Sequence, residues 1–351
     1  MRYEPPADRA GLIAAVRERY GISARDLAFV SVGFVAACYV VHCSAEEPYL
    51  LKLWPELRLG QAAADRQCAS LVLTRAIHNR HVNLRVPYPI PTRDGALWGD
   101  LAGTPFAVFP LLPGKAPPAR TPAALRDEFA RTIAAIHRAT PALIDVLPPR
   151  EAFAIPDERG LRRCLAVIQC IGSEQRPGLR ALRRLLLPRE VEIRTQHTRL
   201  RQLQKTMRQL DGPFVLCHTD LGGDNMLVDE EGRFSVLDWD DATVAPPEFD
   251  LWSLLGDYFE RSLAVYREAG GVRPLHSDRF AFYLLRRYLG DMVARLERIL
   301  EQRDADTTEQ EDEELLRGMQ AYGFARWAAL DDTLLRISVV LQQTKPEAGR
   351  G

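Results

Sequence analysis

His218-Thr219-Asp220-Leu221-Gly222-Gly223-Asp224-Asn225, followed by Val236-Leu237-Asp238-Trp239-Asp240, is the most informative part of this chain. Asp220 is a carboxylate suited to orienting a hydroxyl and accepting its proton, while Asn225 and Asp238 offer hard oxygen donors of the kind that hold Mg²⁺. Between them, Met226-Leu227-Val228 and Phe234-Ser235-Val236-Leu237 read as short apolar strands on either side of the turn signal Asp229-Glu230-Glu231-Gly232. A hairpin there folds Asp238 back beside Asn225. Asp238 also ends an apolar run, where a carboxylate is costly unless a positive partner, such as a metal ion, meets it. Either motif alone describes surface acids near a turn; together they argue for chemistry.

A base for a hydroxyl and oxygen ligands for a divalent cation are parts that phosphoryl transfer from ATP requires. The pattern His-x-Asp-x-x-x-x-Asn, here His218, Asp220 and Asn225, resembles the aminoglycoside phosphotransferases and related small-molecule kinases, where protein kinases carry His-Arg-Asp and then Asp-Phe-Gly. Leu237-Asp238-Trp239-Asp240-Asp241 with Ala245-Pro246-Pro247-Glu248-Phe249-Asp250-Leu251 looks most like the spectinomycin phosphotransferase branch. The resemblance implies an α+β, bilobal protein-kinase-like fold. Residues 1–110 would form a small antiparallel-sheet N-lobe, and residues 111–351 a larger, mainly helical C-lobe with a helical insert at 151–210. It further implies ATP and Mg²⁺ as cofactors, and Asp250 as an internal brace that accepts backbone hydrogen bonds from the catalytic loop. His218 is expected to brace the same loop through a backbone hydrogen bond.

Lysine is scarce, with Lys52, Lys115, Lys205 and Lys345 against 42 arginines. Lys52 lies in the strand-like run Tyr49-Leu50-Leu51-Lys52-Leu53-Trp54, and its compact ammonium suits bridging phosphate oxygens. By position alone it reads equally as an edge-strand lysine facing solvent. The family places a lysine on the third N-lobe strand for nucleotide phosphates and pairs it with a Glu from the next helix. Here no Glu lies between Leu57 and Arg80; Asp65 is the first candidate, with Gln67 a neutral substitute and Glu56 at the helix start.

The segment Phe29 to Val41 has a single glycine, Gly33. It fits a hairpin whose backbone N–H groups and Ser31 hydroxyl would face phosphates, or an ordinary turn. Pro105 to Gly114 reads as a strand running into a linker, the place of an adenine-binding hinge, with Phe109 and Leu111 as candidates. Pro110 has no N–H, so Leu111 or Leu112 must supply the donor.

Helices are expected near Ala7–Tyr20, from a Ser23-Ala24-Arg25-Asp26 start, and from a Thr121-Pro122 start to Thr140-Pro141, with others near 249–269, 279–301 and 311–341. The arginine-rich insert alternates with Leu161, Leu165 and Ile168, which favours a solvated amphipathic face over a nucleic-acid patch. The acidic run from Glu301 to Glu314 reads as a solvated loop and helix start. His137 falls on a buried helical face and reads as a core residue; His78 and His81 read as loop residues at a helix end.

A hydrophobic content of 46% in 351 residues suffices for a large core or two lobes, and a net charge of −1 gives no basic field for nucleic acid. No apolar run reaches the roughly 20 residues of a membrane span, and the N-terminal stretch has no signal-peptide core, so a cytoplasmic protein is expected. Six cysteines without a Cys-x-x-Cys read as reduced, buried thiols; Cys217 and His218 make a poor zinc site because no second ligand pair is near.

These features predict an ATP-dependent O-phosphotransferase acting on a small molecule, as a monomer or homodimer. Asp220 is its base, Asn225 and Asp238 its metal ligands, and Lys52 its phosphate ligand. Asp224, Asp240 and Asp241 add carboxylates that suit a cationic acceptor such as an aminocyclitol antibiotic. A metabolic kinase of a sugar, amino alcohol or homoserine-like acceptor is the alternative. An ATP-binding pseudokinase or regulatory scaffold is a third reading, suggested only by the missing helix Glu.

Overall fold

The computed structural model describes residues 4–5, 7–31, 36–44, 46–54, 61–118, 120–301 and 309–343, with the side chains of 61–64, 224, 301 and 309 set aside. The chain opens with helix α1 (Arg9–Tyr20), strands β1 (Ala24–Val30), β2 (Ala37–Cys43) and β3 (Tyr49–Leu53), helix α2 (Gln61–Asn79), and strands β4 (Gly99–Leu101) and β5 (Thr104–Pro110). Helices α3 (Ala123–Arg138), α4 (Glu158–Gln169), α5 (Pro177–Leu186) and α6 (Glu190–Met207) follow. Short strands β6 (Val215–Cys217), β7 (Met226–Val228), β8 (Phe234–Val236) and β9 (Thr243–Ala245) come next. The chain continues with α7 (Glu248–Leu251), α8 (Phe259–Glu268), α9 (Ser277–Glu301), α10 (Glu309–Met319), α11 (Ala325–Ala328) and α12 (Leu330–Gln343). The fold class is α+β, as expected. No helix among the described residues is long and apolar enough to cross a membrane.

The chain divides into two compact units, 1–150 with 214–272, and 151–213 with 273–351. The boundary expected at 110/111 falls inside the first. In that first unit an antiparallel sheet is ordered β1-β2-β3-β5-β4. Side-chain alternation along a strand sorts its two faces. Leu51 and Leu53 pack with Tyr39, Val41, Phe106 and Val108 against Leu12 and Val16 of α1. Leu50 falls on the opposite face, with Ala107, Phe109 and Leu71 of α2. Lys52 shares that second parity, opposite Cys38 of β2 and Ala107 of β5. Each fully buried Leu or Val contributes about 1.5–3 kcal/mol, so this two-sided burial fixes register and with it the lysine's face.

The second unit is helical. Leu161, Leu165 and Ile168 of α4, Leu182 and Leu186 of α5, and Ile193, Leu200 and Met207 of α6 are buried, which agrees with the amphipathic reading of the insert. Within this unit Arg286 pairs with Glu151 at 2.9 Å, and Arg176 pairs with Asp312.

Several expectations are corrected. Ser23 to Asp26 leads into a strand rather than a helix: Gly21, at φ 72°, closes α1, and Ala24 and Leu27 are both buried, brought to one face by a register shift between Ala24 and Asp26. The α3 cap is Pro122 rather than Thr121, whose hydroxyl donates to the Pro118 carbonyl instead. The helix expected at 249–269 is split by Gly256, at φ 144°, and that at 311–341 by a π turn over Gln320–Phe324. Asp312 is buried by its arginine partner rather than solvated. Cys170 is exposed, not buried.

Candidate active site

Strand β6 delivers His218 to a fully buried position at the head of the 218–225 loop. Strands β7 and β8 pair as Met226 to Val236 and Val228 to Phe234, forming the expected hairpin. The Leu237 N–H then donates to the Asn225 carbonyl at 2.8 Å, which brings Asp238 back to the loop. His218 Nε2 donates to the Leu237 carbonyl at 2.6 Å, and the Asp220 N–H donates to Nδ1 at 3.3 Å. These partners require the tautomer with its proton on Nε2. Trp239 lies edge-on to the imidazole, centroids 5.0 Å apart, and its indole N–H reaches the Val236 carbonyl at 2.9 Å. The expected histidine brace is therefore present.

Thr219 and Asp238 sit at φ 78° and 58°. A left-handed conformation costs non-glycine residues roughly 1–3 kcal/mol and persists only where the surroundings enforce it. Asp250 does the enforcing at Thr219: its carboxylate accepts the N–H of His218 at 3.0 Å and of Thr219 at 2.7 Å. The Thr219 hydroxyl is tied to the Asp241 carbonyl at 3.2 Å. Below the brace, buried His137 contacts Asp250 through Nε2 at 3.2 Å and Tyr266 Oη through Nδ1 at 2.8 Å. Burial pushes the Tyr266 phenol well above its ordinary range, so it keeps its proton. Cys217 joins His137 and Asp250 within 4.8 Å, a metal-like grouping, but hydrogen bonds already occupy the imidazole and the carboxylate. It reads as the loop's foundation.

The side chains expected to carry the chemistry gather beyond it. Asn225 Nδ2 donates to Asp220 Oδ2 at 2.8 Å and to the Asp220 carbonyl at 3.1 Å, fixing the carboxylate's orientation. With its nitrogen so engaged, Asn225 offers its amide oxygen as a ligand. Lys52 Nζ lies 3.3 Å from Asp238 Oδ1. Burial pulls the Lys52 ammonium down, but the Asp238 and Asp240 charges pull harder, and it stays above its ordinary range. Asp240 is pushed up by burial, against the Lys52 charge, and accepts a 2.9 Å hydrogen bond from Gln67 Nε2. The donor set of Asn225 and Asp238 is all hard oxygen, and the Asp238 side chain keeps 48% of its surface exposed, so these residues fit a Mg²⁺ ion.

The remaining predicted residues are less concentrated. Asp65 is exposed near the start of α2, and the carboxylate that the structure sets against Lys52 is Asp238. Gln67, Ser70, Leu71 and Thr74 form the buried face of α2, a spacing legible in the sequence that already put Asp65 off that face. Ser31 is exposed at the end of β1, while Gly33 and the Asp224 side chain lie outside the described residues. Phe109 is buried in the sheet opposite Leu50, and Leu111 is exposed just past β5. Asp241 is exposed. The Gln67 to Asp240 contact was not anticipated.

The sequence model of the Phosphotransferase enzyme family matches residues 26–283. Among solved structures, a spectinomycin phosphotransferase in complex with ADP and spectinomycin superposes with a TM-score of 0.74 at 18% identity, over 97% of this chain and 100% of that one. An aminoglycoside phosphotransferase from Alicyclobacillus acidocaldarius gives 0.58 at 16% identity, over 97% of each chain. A macrolide 2'-phosphotransferase from Brachybacterium faecium gives 0.52 at 19%, over 88% of this chain and 98% of that one. At these identities the structural likeness is one of fold. The family match spans most of the chain, which belongs to the Phosphotransferase enzyme family.

Proposed function

We propose that this phosphotransferase moves the terminal phosphoryl group of ATP to a hydroxyl of a small molecule, with an aminocyclitol antibiotic of the spectinomycin type as the acceptor. The observation that carries the transfer chemistry is the convergence of Asp220, Asn225, Asp238 and Lys52 through hydrogen bonds of 2.8 and 3.3 Å. Asp220, its Oδ2 held by Asn225, orients the acceptor hydroxyl and takes its proton as the oxygen attacks phosphorus. Lys52 holds nucleotide phosphate oxygens, from a strand face fixed by sheet register. Asn225 and Asp238 hold Mg²⁺, which when bound neutralises phosphate charge. The exposed backbone beyond β5, at Leu111, serves the adenine, and Ser31 with Gly33 the phosphates. The domain reading follows from these roles: residues 1–110 form the nucleotide-binding lobe and 111–351 the catalytic and acceptor-binding lobe.

The spectinomycin reading is supported by the fold likeness and by the acids around the loop, of which Asp241 is exposed. One observation favours a second acceptor class: Asp240 is engaged by Gln67, which leaves fewer carboxylates for a cationic ligand. A neutral sugar or amino alcohol then becomes the competing acceptor. Expression in a sensitive bacterium separates the two. Resistance to spectinomycin or another aminocyclitol, abolished by Asp220→Asn and weakened by Asp241→Asn, is expected. No protection across a broad antibiotic panel, with transfer by the purified protein to neutral metabolites alone, overturns the antibiotic reading.

A further inference from the structure

The linker that follows β5 adds a short strand to the β7–β8 hairpin. The Lys115 N–H donates to the Val228 carbonyl at 3.0 Å, and the Val228 N–H donates to the Lys115 carbonyl at 2.8 Å. This reciprocal exchange makes Lys115 and Val228 a hydrogen-bonded antiparallel pair on the outer edge of β7. The opposite edge is held too, since the Val236 N–H of β8 donates to the Arg85 carbonyl at 2.8 Å. Gly114 is what lets the linker come so close. It sits at φ 130°, which residues with a side chain rarely adopt, and a Cβ there would lie 2.8 Å from the Val228 carbonyl oxygen and 3.1 Å from Leu227 Cβ. That oxygen is backbone, and it is the one that Lys115 uses, so it cannot give way without opening the bridge.

Leu111 lies four residues before Lys115, and Asn225 three residues before Val228, yet more than a hundred residues of chain separate Leu111 from Asn225. The bridge joins the two stretches directly, backbone to backbone. We infer that Gly114 is a positioning residue for the nucleotide: by admitting the bridge, it fixes the linker at Leu111 relative to the metal ligand Asn225. The role deepens the proposed function and rests on the places given there to adenine and Mg²⁺. One ATP molecule engages both places, so its affinity gains from their being held at the spacing its own length requires. A fragment that fills only one of them gains nothing from that spacing.

Dissecting the nucleotide tests this. Full-length wild type and Gly114→Ala are titrated calorimetrically with Mg·ATP, with adenosine and with Mg·tripolyphosphate. In Gly114→Ala the Kd for Mg·ATP should rise about tenfold, while each fragment binds within about threefold of its wild-type affinity. Amide exchange at Val228 should quicken in the same variant without nucleotide, since its N–H loses the Lys115 carbonyl. Lys115→Pro, which removes the N–H that donates to Val228, is a second route should Gly114→Ala fail to fold, and should give the same split. Losses of similar size for all three ligands overturn the inference, because a merely structural glycine would weaken every one of them. So does faster exchange at Val228 with Mg·ATP affinity unchanged, which would make the bridge irrelevant to the nucleotide. Wild-type protein that binds no Mg·ATP overturns the proposed function and this role together, whereas wild-type binding with an unsplit loss overturns this role alone.

Discussion

Asp220 and Asn225 are joined by a 2.8 Å hydrogen bond, so the loop presents them as one group rather than two. If Asp220 is the base, Asp220→Asn should lower kcat on the order of 10²-fold or more while ATP affinity stays near wild type. Turnover retained in a matched assay would make it a structural residue. Asp250 works at one remove: it satisfies two buried N–H groups and holds Thr219 in its left-handed conformation. Asp250→Ala leaves both donors unsatisfied, at roughly 1–3 kcal/mol each. Urea unfolding should show that loss, and Asp250→Asn, which keeps one acceptor, should lose less. Equal stability of all three proteins would dismiss the brace. At this scale the motif was legible because its spacing, together with the turn between the strands, dictates who meets whom. Gln67 was less legible than Asp65 because a neutral amide carries no charge signal, and only its place on the buried face of α2 marks it.

Among the elements, the β7–β8 hairpin matters most, because it alone returns Asp238 to Asn225. Its turn is locked by Asp229, which accepts the Arg233 N–H at 2.8 Å and pairs with the guanidinium groups of Arg85 and Arg233. Burial pushes the Asp229 carboxyl up, but the Arg233 backbone and both arginines more than offset it, holding it well below the usual carboxylate range. The sign follows by linkage. A depressed folded pKa gives stability that is present above the ordinary carboxylate range and lost as pH falls through the folded value. Asp229→Asn should therefore lower Tm near neutral pH, and the gap to wild type should narrow as pH drops below about 4. A gap that stays constant with pH would remove the charge from the explanation. This hairpin was readable from local signals. The Ser23 segment and the Gly256 break were not: a polar residue before an apolar run serves a helix cap or a strand entry equally, and tertiary burial decides between them.

For the molecule as a whole, the chain leaves its first unit after residue 150, builds part of the second, returns at 214 and leaves again after 272. Such interleaving depends on long-range packing and leaves no local pattern in the sequence. In the proposed function nucleotide binding draws on the whole of the first unit, with Lys52 from the sheet and Asn225 and Asp238 from the distant loop. With hard oxygen ligands only, Mg²⁺ or Mn²⁺ should support ATP binding and Zn²⁺ should not, and chelation should weaken it. Calorimetry showing unchanged Mg·ATP binding in Asp238→Ala would count against the ligand assignment. Phosphoryl transfer to a hydroxyl leaves a phosphate monoester, which product analysis detects. Purified protein with ATP and Mg²⁺ is offered a panel of aminocyclitols, aminoglycosides, sugars, amino alcohols and homoserine, and products are read by mass spectrometry and phosphorus NMR. A phosphate monoester on an acceptor oxygen, formed by wild type and absent with Asp220→Asn, is the expected result. Transfer that continues undiminished in Asp220→Asn, or bound Mg·ATP with no acceptor phosphorylated across the panel, contradicts it.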